Sequence, residues 1–279
     1  MLDGVMLLWF ILAAAAVLFV AIDIRHTPES PVLKWGFVLV AAYTGVVGAF
    51  LYVLGCREPL PGTHAQYVAP QWRQTLGSVM HCVAGDGVGI LAGAVLARVL
   101  GVTGLAEVAL EYALGFGFGW TVFQALFMRD MAGGSYSRSL ANTFIPELLS
   151  MNFLMAGMVP TSMILRTLLG TGADPRTPAF WFVMSLALLV GAIVAYPINW
   201  WLVRYHLKHG MLTTHDPGAA SPHPTSESHG QPETPEMPPM PVMATSGHEK
   251  PRPPIPLMGA LSFLALAANL AVTSFVVAT

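Results

Sequence analysis

Seven apolar stretches, each as long as the roughly 20 residues a helix needs to cross about 30 Å of hydrocarbon, constrain this 279-residue chain more than any other feature. They lie at about 4–24, 34–55, 77–100, 103–128, 146–169, 179–205 and 256–278. Lipid offers the backbone no outside hydrogen-bond partner, so each stretch predicts a helix and the fold class is all-α, a polytopic transmembrane helix bundle. Charged residues make up only 10% of the chain, against about 25% in soluble proteins, too few to build a water-facing surface. The net charge of -2 and the lack of a Lys/Arg-dense face exclude a nucleic-acid partner and leave the lipid bilayer as the surroundings. The first stretch has no basic n-region and outruns a signal peptide's apolar core, so it predicts a retained anchor in a multi-pass protein of the inner (plasma) membrane.

Composition changes after Lys208. Between Pro217 and Pro256 lie 12 of the 22 prolines, with Ser, Thr and Glu among them. Such a segment buries too little apolar surface to offset the entropy of ordering and predicts a disordered tether over 212–255. The expected organisation is two spans in 1–56, a four-helix core in 77–211, the tether, and a C-terminal helix in 256–279. The six-helix body therefore carries a seventh helix on a leash. The tether itself holds His215, His223, His229 and His248 and the run MPPMPVM, a composition able to bind metal weakly without folding. Two cysteines make no disulfide framework; Cys56 falls in a loop and Cys82 inside a span, so both are expected free.

Ionisable side chains at bilayer depth cost about 2.5–3.5 kcal/mol on insertion scales, which makes each one a candidate functional residue. The third stretch places Met80, His81, Cys82 and Asp86 within two turns, Cys82 and Asp86 at i, i+4. Thioether, imidazole, thiolate and carboxylate form a transition-metal ligand set; the plainer alternative is polar packing between helices. The fourth stretch carries Glu107 and Glu111 at i, i+4, with Gly115 and Gly119 continuing Glu111's stripe. The Gly-rich third stretch (Gly85, Gly87, Gly89) is the expected partner, a contact that would bring Glu111 towards Asp86 or His81. In the fifth, Glu147, Met151, Met155 and Met158 fall on one helical stripe beside Asn152, either a soft-metal lining or ordinary Met packing. Residues 135–142 read as an interfacial helix ahead of it. The sixth ends in AYPINWWLVRYHLKHGM, where Tyr196 and Asn199 share a face at i, i+3 and Trp200, Trp201 and Tyr205 anchor the interface above Arg204 and Lys208. Every Lys, Lys208 included, is placed at a boundary or in the tether.

No H-E-x-x-H, G-x-S-x-G or P-loop pattern occurs, so catalysis is not expected. The leading expectation is a membrane protein that binds or moves a soft transition metal, copper as Cu(I) first, through His81, Cys82, Met80, Asp86, Met151 and Met155. Six body helices are few for a transporter, implying a homo-oligomer or a metal-handling partner. Two alternatives stay open. One is a non-catalytic assembly or scaffold factor; the other is a proton-coupled small-solute transporter using Asp86, Glu107 and Glu111. In either, Glu147, Asn152 and Asn199 act as relay or packing groups.

The strings MHCVAGDGVG (80–89), FQALFMRDMAGGSY (123–136), IPELLSMNFLMAGMVP (145–160) and AYPINWWLVRYHLKHGM (195–211) resemble a bacterial and archaeal family of integral membrane proteins, domain of unknown function 4396. The resemblance covers about 77–211, half of the chain. It implies a membrane-embedded helical core and no mechanism.

Overall fold

The apolar stretches are helical, and among the described residues there is no β-strand. The computed structural model describes residues 2–129, 134–170, 174–211 and 254–278. The expected tether lies almost wholly outside them. The helices are α1 (Leu2–Asp23), α2 (Pro31–Thr44), α3 (Val46–Gly55), α4 (His64–Val68), α5 (Gln71–Leu100), α6 (Leu105–Phe118), α7 (Ala125–Met128), α8 (Tyr136–Leu169), α9 (Pro178–Arg204) and α10 (Ile255–Ala278). A π-helical segment, Gly119–Gln124, joins α6 to α7. Among the described residues, four helices are long and apolar enough to cross a membrane: α1 with its following turn, α5, α8 and α9. The starts follow capping chemistry, since Ser30, Ser135 and Thr177 each accept a hydrogen bond from the backbone N–H three residues on. Gly101 and Gly170, both left-handed, close α5 and α8.

Three boundaries differ from the sequence reading. The stretch 34–55 is two helices, broken at Gly45, whose φ of +60° is open to glycine at little cost; its N–H still donates to Ala41 O at 2.8 Å. Hydropathy runs unchanged through this break and gives no sign of it. In the fourth stretch the helical path continues, but the π segment shifts its register. The helix of the fifth stretch, α8, begins at Tyr136 and runs through Pro146, so residues 135–142 form its first turns and not a separate interfacial helix. Side chains tie those turns to the π segment and α7. Tyr136 OH donates to Thr121 O (2.8 Å), Ser139 Oγ to Ala125 O (2.7 Å), and Trp120 Nε1 donates to Leu140 O (3.0 Å).

At the centre stands α5, buried along most of its length, whereas α1 is largely exposed. It packs on α6, α9, α2 and the π segment, while α8 lies between α9 and α10. On the outside, α1 exposes Leu7, Leu8, Ile11, Leu18 and Ile22, side chains suited to lipid. The C-terminal helix is docked: Asn152 Nδ2 donates to Ser262 Oγ at 3.0 Å, and Tyr112 OH donates to Asn152 Oδ1 at 2.7 Å.

Close approach between α5 and α6 depends on a small-residue stripe at four-residue steps, Gly85, Gly89 and Gly93. A Cβ on Gly85 would stand 3.0 Å from Gly119 Cα, one on Gly89 would collide with the Leu114 carbonyl, and one on Gly93 would stand 2.7 Å from Glu111 Cα. Gly87 faces the other way, onto the Tyr43 ring of α2.

Gly89→Ala should cost about 1–3 kcal/mol, because backbone atoms cannot move aside for the new methyl. Gly117→Ala, whose Cβ meets nothing within 4 Å, should be neutral or stabilising by up to about 1 kcal/mol. Thermal midpoints in one detergent compare the two, and equal effects would refute the packing assigned to the stripe.

Candidate functional site

The i, i+4 spacing of α5 puts Ser78, Cys82 and Asp86 on a stripe that faces α8, α9 and the π segment, all three fully enclosed. Cys82 Sγ donates to Asp86 Oδ2 at 2.9 Å. From α8, Glu147 brings its carboxyl within hydrogen-bonding reach of Asp86. Ligand atoms of Cys82, Asp86 and Glu147 all lie within 4.8 Å of one another. Room for them comes from Gly119: a Cβ there would overlap Asp86 Oδ1 and stand 3.1 Å from Glu147 Oε1. The π segment thus supplies a bare backbone face where any side chain would collide with the carboxylates.

The fourth member comes from outside the spans. His206, at φ +57°, turns the chain after α9 back into the bundle. Gly210 packs directly on the Gln74 backbone and Met211 fills the space over Gly77. Lys208 is thereby carried to full burial, its Nζ 2.8 Å from Glu147 Oε2 and donating to Ser150 Oγ at 3.0 Å. By sequence position Lys208 belongs at the boundary; in the structure the turn at His206 brings it into the core. Burial alone would push the Lys208 pKa down, but Cys82, Glu147 and Asp86 outweigh it and hold it above the ordinary lysine value. Beyond Lys208, Ser150 Oγ and Ser78 Oγ both donate to Asn199 Oδ1 at 2.9 Å, and Asn199 Nδ2 donates to Ala195 O. Ser78, Ser150 and Lys208 were not singled out in the sequence, where short hydroxyl residues in a helix are commonplace.

Other predicted residues have separate places. His81 is buried beside the cluster, its ring 4.6 Å from the Phe127 ring centroid and 5.7 Å from that of Phe123, and it lies outside the 4.8 Å group. Met80 is buried in the core cluster, its backbone carbonyl on the side of Gly36 in α2. Met151 reaches α5 one turn past Asp86: a Cβ on Gly115 would stand 2.8 Å from its Cε and 3.3 Å from Asp86 O. Met155 and Met158 continue that buried stripe. The expected contact between α5 and α6 exists, but it places Glu111 opposite Gly93, two turns from Asp86. Glu107 pairs with Arg166 at 3.4 Å. Both cysteines are free and buried.

One ammonium faces two carboxyls in an interior closed to water, so one negative charge has no counter-charge until a proton or a cation supplies it. The fold and this cluster define a helical membrane protein with an ionisable centre inside its bundle. Residues 71–208 match the family described as Domain of unknown function (DUF4396), and the chain belongs to that family. The match runs from the start of α5 to Lys208 and so contains every member of the cluster. No curated protein and no solved structure matches the chain.

Lys208→Met should destabilise the protein by about 3–5 kcal/mol, because it strands a buried carboxylate. Adding Glu147→Gln should restore most of that loss. Thermal midpoints of the two single variants and the double variant form the cycle, and strictly additive losses would show that the two residues do not act as a pair.

Proposed function

We propose that this protein is a multi-pass protein of the cell's inner membrane, with six spans as its body and α10 as a seventh, and that its centre binds or moves a soft transition metal. The observation that supports this is the convergence of Cys82, Asp86 and Glu147 within 4.8 Å in the interior of the bundle. Thiolate and carboxylate are metal ligands, and the two carboxyls alone outnumber the one lysine beside them. Lys208 occupies Glu147 as a built-in cation, so an arriving metal ion either displaces it or binds through Cys82 and Asp86 alone.

Copper as Cu(I) is the first candidate cargo. One sulfur with two carboxylates suits a borderline divalent ion, and the preference for Cu(I) requires adding the Met151 thioether, whose Cε lies one turn past Asp86, and the His81 imidazole beside the cluster. Transport by so small a body calls for a homo-oligomer or a metal-handling partner. A proton is the second reading, favoured by the same shortage of counter-charge; Glu107, Glu111 and Arg166 form a separate group two turns away and are not needed for it.

The reduced, purified protein should hold one Cu(I) per chain against a competing chelator. Cys82→Ala should weaken that binding by about tenfold or more, as should the pair His81→Ala with Met151→Leu. Cys56→Ala should leave it unchanged. Binding unaffected by Cys82→Ala overturns the site. Proton uptake by metal-free proteoliposomes that disappears in Asp86→Asn, with no metal bound at equilibrium, assigns the centre to protons instead.

A further inference from the structure

A second cluster of metal-ligand chemistry lies outside the family region and outside the centre described above. Glu29, in the connection before α2, Cys56, at the end of α3, and His64, the first residue of α4, come from three separate places in the sequence. All three are at most 2% exposed, and they bring one ligand atom each within 4.8 Å of one another. We propose that Glu29, Cys56 and His64 form a binding site for a divalent transition metal of the zinc type.

Geometry carries the argument first. Two atoms bound to one tetrahedral ion at about 2.0–2.3 Å stand roughly 3.3–3.8 Å apart. His64 Nε2 is 3.9 Å from Glu29 Oε1, too long for a hydrogen bond and close to the spacing of two ligands on a common ion. The His64 ring also hydrogen-bonds the backbone of Cys56. A metal-bound imidazole characteristically anchors its second nitrogen on a carbonyl or carboxylate, which fixes the ring's orientation and tautomer.

Each ligand is held by its own supports. Glu29 Oε2 accepts from Ser30 N at 3.0 Å, and Oε1 lies on the side of His64. Glu58 Oε1 accepts from the Thr63 and His64 backbone N–H groups at 2.7 and 3.1 Å and fixes the start of α4. Cys56 N donates to Tyr52 O at 2.9 Å, and Tyr52 OH in turn bonds Thr27 and Asp23. The two connections, before α2 and between α3 and α4, are set in place around the site by these contacts.

Donor chemistry then selects the metal. One thiolate, one imidazole and one carboxylate are the mixed set that zinc accepts, with a fourth position left for water, whereas Cu(I) favours sulfur and disfavours carboxylate. Charge agrees: thiolate and carboxylate together neutralise a divalent ion, the arrangement an enclosed site requires. The site also adjoins the turn that carries Lys208, since a Cβ on Gly55 would stand 3.3 Å from Met211 Cε. An ion here would clamp the two loops at the same end of the bundle as that turn.

The test uses the full chain in detergent, reduced, with no affinity tag and with Cys82→Ser. The natural sequence has two cysteines, so Cys56 is then the only thiol. Titration with Co(II) should give one equivalent of a tetrahedral spectrum with a thiolate-to-cobalt charge-transfer band, bleached by stoichiometric Zn(II). His64→Gln or Glu29→Gln in the same background should weaken the binding by more than about tenfold while the thiol remains. No charge-transfer band, or a band whose affinity ignores both substitutions, overturns the site. If Cys82→Ser does not yield a monodisperse protein, zinc content after equilibration decides: the natural sequence should carry one zinc per chain more than His64→Gln, and equal contents overturn the proposal. Loss of Cu(I) binding in Cys82→Ala has no bearing on this result, so the two sites stand or fall separately.

Discussion

The ion pair between Lys208 and Glu147 is the contact on which the middle of this protein depends, because it places full charges where the surroundings are apolar. A carboxyl pair between helices needs a counter-charge, and among the described residues it is Lys208 that supplies one. The chain meets the need by folding the segment after α9 back into the bundle, with Gly210 and Met211 packed on α5. The turn, α8 and α5 are thereby joined by electrostatics as well as by packing. Removing either partner leaves the other buried and unpaired, which is more destabilising than never having had the pair.

Small residues make the cluster sterically possible. Gly85, Gly89 and Gly93 let α5 and α6 approach at the backbone, and Gly119 leaves a space that the Asp86 carboxylate occupies. The π segment sits at this place, its Thr121 carbonyl bonded by Tyr136 of α8 and the Ala125 carbonyl just after it by Ser139. Packing and chemistry are the same feature here: the glycines that draw the helices together also bring Asp86, Cys82 and Glu147 to a common point.

Much of this was legible in the chain. Apolar runs located the helices, and i, i+4 spacing placed Cys82 with Asp86 and put Glu147 on an inward stripe with Met151 and Met155. Gly115 and Gly119 were recognisable as the face presented to a neighbouring helix. Other features were not legible for specific reasons. The break at Gly45 involves one residue's dihedral angles, to which hydropathy is blind. Glu29 and His64 lie in or at the edge of short polar connections where such residues usually face water, and only the meeting of the two connections encloses them with Cys56.

The sequence by itself determined that the chain is helical, that it lies in lipid, and which helix faces carry ionisable and small residues, because these follow from local periodicity and from the cost of exposing polar backbone to hydrocarbon. Tertiary structure decided which of those faces meet and where Lys208 goes. By position that lysine follows the aromatic belt of α9 and belongs at the interface. It lies in the core because the turn at His206, the glycine contact at Gln74 and the attraction of two carboxyls act together, and those partners are separated by as many as 137 residues (Gln74 to Met211) along the chain.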